Sequence, residues 1–264
     1  MAADPQAFVS AESHYARFRP HYPAELYDVL GARFGLDGTQ VALDLGCGPG
    51  TVALELAAAV KAVYAVDPSA GMLEQGRALA AEQGVTTVSW HQGSSATLAG
   101  LGLPALDLVV MAKSFHWMDR DQTLTDLDRL CAPRAGVVVL SAGPPGTSPL
   151  PPWAEVVAEV RANYLGAVRR AGHGVYPEPP EPFRATLERS AFSVVEMVPF
   201  EQLVVRTPDE LIGLQLSNSY STPAQLGPRR ALFERDLRQA LLQHDPSGRY
   251  EETIHTEALI AVRS

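Results

Sequence analysis

Two hydrophobic periods alternate along the first half of the chain. Short, nearly continuous apolar runs, "VALDL" (41–45), "AVYAVD" (62–67), "LDLVVMA" (106–112) and "GVVVLSAG" (136–143), read as buried strands. "TTVSWHQ" (86–92) alternates and reads as a half-buried one. Between them lie helical patterns. "AELYDVLGARFG" sets Leu26, Val29, Leu30 and Phe34 on one face, and "TVALELAAAV" (51–60) follows the first strand. "SAGMLEQGRALAAEQG" (69–84) carries Ser69 as N-cap and Gly84 as stop. "DRDQTLTDLDRLCAP" (119–133) stacks Leu124, Leu127 and Leu130. Strand, helix, strand, helix at this spacing predicts a parallel sheet covered on both faces, with ligands at the carboxyl ends of the strands.

The second half is less regular. A Pro/Gly-rich connector (143–153) leads to a helix (153–170), a loop (171–183) and a strand-like stretch (192–205). Helices near 208–219 and 223–243 follow, then a last strand from Tyr250. The expected fold is α/β: a doubly wound, mostly parallel, seven-stranded sheet with a mainly helical cap. On this reading residues 1–143 form a ligand-binding core with an N-terminal lid. Residues 144–190 and 206–245 form the cap, and 191–205 and 250–264 are the final strands of the sheet.

Composition narrows the function. With 46% hydrophobic and 19% charged residues, the 264-residue chain has material for a large core. The formal charge of −9 and the lack of a Lys/Arg run argue against nucleic acid. Cys47 and Cys131 have no metal-ligand spacing and read as buried thiols of a reducing, cytoplasmic setting; no metal is expected. No signal peptide or membrane span is expected. The oligomeric state is unreadable, and a homodimer is left open.

The chemistry is concentrated where the first strand ends. Gly46, Gly48 and Gly50 lie between a strand and a helix, where backbone free of side chains lets a ligand approach. The spacing G-x-G-x-G differs from the dinucleotide pattern G-x-G-x-x-G. Asp44, two residues ahead, would repel a pyrophosphate and attract an amine. Asp67 ends the second strand, 17 residues after Gly50, where an acid accepts from ribose hydroxyls. A ribose joined to a cationic, phosphate-free group describes S-adenosyl-L-methionine.

At these residues the chain resembles the Rossmann-like S-adenosylmethionine-dependent methyltransferases. "LDLGCGPG" (43–50) matches their first motif and "AVDPSAGML" (65–73) their second; the resemblance covers roughly residues 10–142. It extends to a subgroup, mostly acting on small molecules, in which "YARFRPHYP" (15–23) precedes the domain and "FHWMD" (115–119) follows the fourth strand. The resemblance implies that Tyr15 and Arg19 hold the cofactor's carboxylate. It implies that Pro68 and Met72 belong to the cofactor site, and that "HQGSSATL" (91–98) lies at the adenine. There Ser94 replaces the usual acid, and Ser95 would meet the ring through its N–H. Lys113 stands where relatives carry an uncharged polar residue, near the meeting point of the methionine end and the acceptor. It is counted among the cofactor-binding residues, and it is either an anchor for a substrate carboxylate or a solvent-reaching lysine.

His116 is the candidate general base, since histidine titrates near neutrality. His21, Trp117, Tyr164, His173, Tyr176, Gln215 and Tyr220 are the candidate acceptor contacts. The expected activity is methyl transfer to an oxygen or nitrogen of a small molecule, of the kind found in secondary metabolism. The alternatives are a non-methylating cyclisation on the same fold, or a binding module.

Overall fold

A computed structural model describes residues 7–142, 149–171, 174–175 and 181–264. Five parallel strands come first: β1 (Val41–Leu45), β2 (Ala62–Asp67), β3 (Val88–Gln92), β4 (Leu106–Ala112) and β5 (Cys131–Ser141). Two tiny strands, β6 (Arg170–Ala171) and β7 (Gly174–Val175), form a separate hairpin. Two 13-residue strands, β8 (Val194–Arg206) and β9 (Tyr250–Val262), complete a seven-stranded sheet of order β3-β2-β1-β4-β5-β9-β8. β9 runs antiparallel to β5 and β8. This is the doubly wound, mostly parallel sheet that the apolar runs predict, and strand order reverses between β1 and β4.

Strand side chains alternate between two cores. Ala42, Val63, Ala65, Leu108 and Val138 face α2 (Ala24–Phe34), α3 (Thr51–Leu56) and α4 (Ala70–Gln83), meeting Leu26, Leu30, Val52, Leu56 and Leu73. Leu43, Leu45, Val109, Met111 and Val137 face α5 (Arg120–Leu130), meeting Leu124 and Leu127. Burial on both faces explains why these strands read as unbroken apolar runs. A third core lies outside the sheet. Here α6 (Ala154–Leu165), α8 (Pro208–Leu216) and α10 (Arg230–His244) pack Trp153, Val157, Leu211, Phe233, Leu237 and Leu241 together.

Several boundaries differ from the sequence reading, each for a local reason. α3 ends at Leu56 and α6 at Leu165, where Gly166 takes a positive φ of 80°. The helix expected over 223–243 divides into α9 (Pro223–Leu226), a 3-10 turn and α10, because Gly227 (φ 54°) and Pro228 interrupt it. β5 begins five residues early, at Cys131. α7 (Phe183–Glu188) lies within the range expected for the cap, yet Leu187 and the following Phe192 belong to the second sheet core. α1 (Glu12–Phe18) buries no residue completely, so apolar periodicity could not reveal it. It packs on α8 so closely that a Cβ on Gly213 would stand 2.3 Å from the Phe18 ring.

β8 and β9 pair along their whole length, but β5 pairs only with residues 257–262 of β9. The distal half of this ribbon therefore rises past the carboxyl edge of the parallel strands. It carries the ion pair of buried Arg206 with half-buried Glu252 (3.0 Å) toward the site.

Candidate active site

The loops after β1 and β4 meet at the point where strand order reverses. Gly46, Gly48 and Gly50 all have positive φ, at 74°, 55° and 82°. Only glycine adopts this without strain, and two of the three are also sterically obligatory. A Cβ at Gly46 would lie 2.5 Å from Ser114 Cβ, and one at Gly50 would lie 2.4 Å from the Trp90 indole. Ser114 Oγ donates to Leu45 O at 2.7 Å, locking the two loops together. Over Gly48 the nearest neighbour is the Tyr15 ring, at 3.7 Å.

The acids sit on either side of this loop. Asp67 Oδ2 accepts from Gly48 N (2.8 Å) and Oδ1 from Ser69 N (2.9 Å). Each oxygen has a second lone pair to offer. Burial raises the Asp67 carboxyl above the ordinary range, while its two backbone donors oppose that. Asp44 is only 1% exposed. Its Oδ2 accepts from Ala53 N at 3.0 Å, but its buried Oδ1 has no partner among the described residues. Burial, with a smaller contribution from the Asp67 charge, lifts Asp44 to about 7. A buried carboxylate oxygen without a donor is costly, and a cationic amine placed there removes the cost.

Two adjoining cavities lie against this frame. The larger, about 820 Å³ with its open mouth, is walled by Gly46, Gly48, Asp67, Pro68, Met72, Ser94, Ser95, Lys113 and Trp117. Phe8, Ser114 and Met118 add to that wall. The smaller, about 430 Å³, is lined by Arg19, Tyr22, Asp44, Cys47 and Thr51. Tyr15, Gly46, Ala112 and Lys113 border both. Arg19 caps the C-terminus of α1, lies over the Tyr15 ring at 4.9 Å, and keeps a buried Nε without a described partner.

Thus Tyr15, Arg19, Asp44, Gly46, Gly48, Asp67, Pro68, Met72, Ser94, Ser95, Lys113 and Trp117 gather on the cavity walls. Gly50 does not, a correction: its hydrogen faces Trp90, and its role is to start α3. His116 is also off both walls. Its ring lies 4.9 Å from Trp117, and burial together with the Arg120 charge lowers it to about 4, so the base expected here is a weak one. The expected acceptor contacts fare worse. His21 is exposed and 3.8 Å from Glu55. Tyr164 donates to Asp236 within the cap. Gln215 is buried in the last turn of α8, where its backbone carbonyl accepts from Ser221 Oγ. Tyr220 lies beneath Arg161 and Arg169. None of these four reaches the two cavities. His173 and Tyr176 fall outside the described residues. Among the described residues no three His, Cys, Asp or Glu side chains gather as a metal site, and no helix is long and apolar enough to cross a membrane.

Comparison with known proteins decides the family. Residues 42–134 match a family described as a methyltransferase domain. An uncharacterized methyltransferase of Mycobacterium tuberculosis is 31% identical over 243 residues, spanning 90% of this chain and 86% of the relative. The chain belongs to the S-adenosylmethionine-dependent methyltransferases. A methyltransferase of Aspergillus candidus is 30% identical over 135 residues, half of this chain and 42% of that protein. Two solved structures share the methyltransferase's fold. One, from Geobacter sulfurreducens, is a SAM-dependent methyltransferase in complex with S-adenosyl-L-homocysteine (TM-score 0.54, 16% identity, all of both chains covered). The other is a precorrin 8w decarboxylase from Methanobacterium thermoautotrophicum (TM-score 0.52, 16% identity, 99% of both chains).

The cofactor of this methyltransferase, S-adenosyl-L-methionine, fits the residues present. The orphaned Asp44 Oδ1 suits its amine, and the spare lone pairs of Asp67 suit its ribose. Sequence reasoning missed Phe8, Tyr22, Ser114 and Met118 on the walls. Tyr22, Ser114 and Met118 lie within or beside the quoted motifs and could have been found there. Asn218, which binds Arg19 across 199 positions, left no local signal.

Proposed function

We propose that this methyltransferase moves a methyl group onto an oxygen or nitrogen of a small molecule. The observation that carries this reading is the enclosure of the site. The two cavities share their Tyr15–Lys113 wall beneath the lid helix α1, and Arg19 ties that lid to the cap through Asn218 at 2.6 Å. A site walled by lid and cap suits a ligand small enough to be engulfed. The charge of −9 also disfavours a polyanionic acceptor.

When bound, the cofactor supplies an electrophilic methyl on a sulfonium. The chain's own groups bind and align. Asp44 Oδ1 accepts from the amine, and Arg19 Nε with Tyr15 faces the carboxylate. Asp67 accepts from the ribose hydroxyls, and Ser94 and Ser95 meet the adenine. Phe8, Trp117 and Met118 form an apolar wall that excludes water from the transfer point. Alignment of this kind supplies roughly 7–11 kcal/mol without a proton-transfer step.

The test is label transfer. Purified protein receives methyl-labelled S-adenosylmethionine and an extract separated into small molecules, RNA and protein. Label is expected in the small-molecule fraction. Label confined to RNA or protein would overturn the reading.

A further inference from the structure

Lys113 stands apart from its surroundings in several ways. It follows β4 directly, and its backbone N–H extends the ladder to Leu140 O at 2.9 Å. Yet its φ is +51°, one of two positive values at non-glycine positions among the described residues. A lysine held in the left-handed region costs about 1 kcal/mol or more, so the surrounding structure fixes it there. The residue borders both cavities. Its ammonium has no hydrogen-bond or ion-pair partner among the described residues. The charges that bear on it are Arg19, Arg206 and Glu252. Glu252 already neutralises Arg206 at 3.0 Å, which leaves Lys113 and Arg19 as two cations without a matching carboxylate. Arg19 shares the smaller cavity with Asp44. An amino acid's ammonium and carboxylate hang from one carbon, so an amine at Asp44 brings the cofactor's carboxylate to Arg19. Lys113 is then left for something else.

We propose, resting on the small-molecule reading above, that Lys113 holds an anionic oxygen of the acceptor, a carboxylate or a phenolate, and that this oxygen is the atom methylated. A lone pair of that oxygen forms the new O–C bond while the C–S bond breaks and its electron pair stays on sulfur. The negative charge on oxygen and the positive charge on sulfur cancel, and no proton has to leave. Among the described residues this agrees with the place of His116, the candidate base, which lies off both walls with its ring 4.9 Å from Trp117. Burial brings the lysine down to about 8, which keeps it largely charged at neutral pH.

The experiment is calorimetry on protein loaded with S-adenosylhomocysteine at pH 7. Acetate, benzoate and 2-naphthoate are each titrated against the matching primary amide, and 4-nitrophenolate against 4-nitroanisole. Wild-type protein is expected to bind at least one anion about tenfold more tightly than its neutral partner. A carboxylate or a phenolate preference tells the two sources apart. Lys113→Met should erase the preference with S-adenosylhomocysteine affinity unchanged and the melting temperature no lower than in the wild type, and Lys113→Arg should restore it. Three results overturn the proposal: no anion preference in the wild type, a preference that survives in Lys113→Met, or a loss of S-adenosylhomocysteine affinity in that variant, which would make the lysine a cofactor ligand. Failure of the wild type to bind S-adenosylhomocysteine at all would instead overturn the reading on which the proposal rests.

Discussion

Arg19 Nη2 donates to Asn218 Oδ1 at 2.6 Å and to Ser217 O at 3.3 Å, so the end of the lid helix is tied to the turn after α8. The guanidinium that faces the cofactor pocket is thereby held by the cap. Asn218→Ala should weaken S-adenosylhomocysteine binding about five- to tenfold by calorimetry, the size expected for losing a charge-assisted hydrogen bond. Asn218→Asp should retain binding. Wild-type affinity in Asn218→Ala would show that the lid holds its arginine without the cap.

Asp44 makes stability and cofactor affinity pull in opposite directions with pH. Burial lifts its folded value to about 7, against an unfolded value near 3.9. Below about pH 4 both states are protonated. Between about 4 and 7 the unfolded state ionises first, so the stability of the cofactor-free protein falls by roughly 4 kcal/mol, then levels off. Asp44→Asn should therefore raise the urea midpoint more at pH 8 than at pH 5. The same variant should lose about 100-fold or more in S-adenosylhomocysteine affinity, because the amine loses its counter-charge. Equal midpoint changes at both pH values would contradict the buried, raised carboxyl.

The amine also makes binding proton-linked. It favours the ionised form of Asp44, so binding near pH 6 should release protons, and affinity should fall as pH drops below about 7. Titrations in buffers of different ionisation enthalpy read this directly. A buffer-independent heat at pH 6 would count against Asp44 as the amine partner.

Asp67 links two backbone donors to a ligand. Asp67→Ala leaves Gly48 N and Ser69 N without their acceptor and removes the ribose contact. S-Adenosylhomocysteine affinity should fall at least about tenfold and stability by about 1–3 kcal/mol. Unchanged affinity would remove the acid from the ribose.

The glycines of the loop should separate in their effects. Gly50→Ala strains a φ of 82° and drives a Cβ to 2.4 Å from Trp90, so a loss of roughly 2–5 kcal/mol is expected in the urea midpoint. Gly48→Ala meets only the Tyr15 ring, at 3.7 Å, but intrudes on the larger cavity. Its stability loss should be smaller and its loss of cofactor affinity larger. The reverse order would mean that Gly50, not Gly48, faces the ligand.

Much of the sheet and half of the site were legible in the sequence because the signals are local. The fully buried strands wrote continuous apolar runs. Asp44, Gly46, Gly48 and Asp67 sit on the first two strands and the loop that ties them, within 24 positions. The acceptor side failed for the opposite reason. Tyr164, Gln215 and Tyr220 read as an aromatic and polar lining, but the cap uses them for its own packing and turns. His116 belonged to a recognisable motif, and its burial together with the Arg120 charge, both set by tertiary packing, made it a weak base.

The sequence alone determined the alternating βα frame, the glycine turn and the two acids at the strand tips, since each depends on neighbours a few residues away. Tertiary structure alone decided what closes the site. The lid helix buries no residue completely and gains its place from Phe18 against Gly213, while Arg19 reaches Asn218 across 199 positions. The ribbon that brings Glu252 and Arg206 near Lys113 likewise depends on how far β8 and β9 pair beyond the end of β5. Such contacts depend on register and packing between distant segments, for which a linear pattern of polar and apolar residues has no symbol.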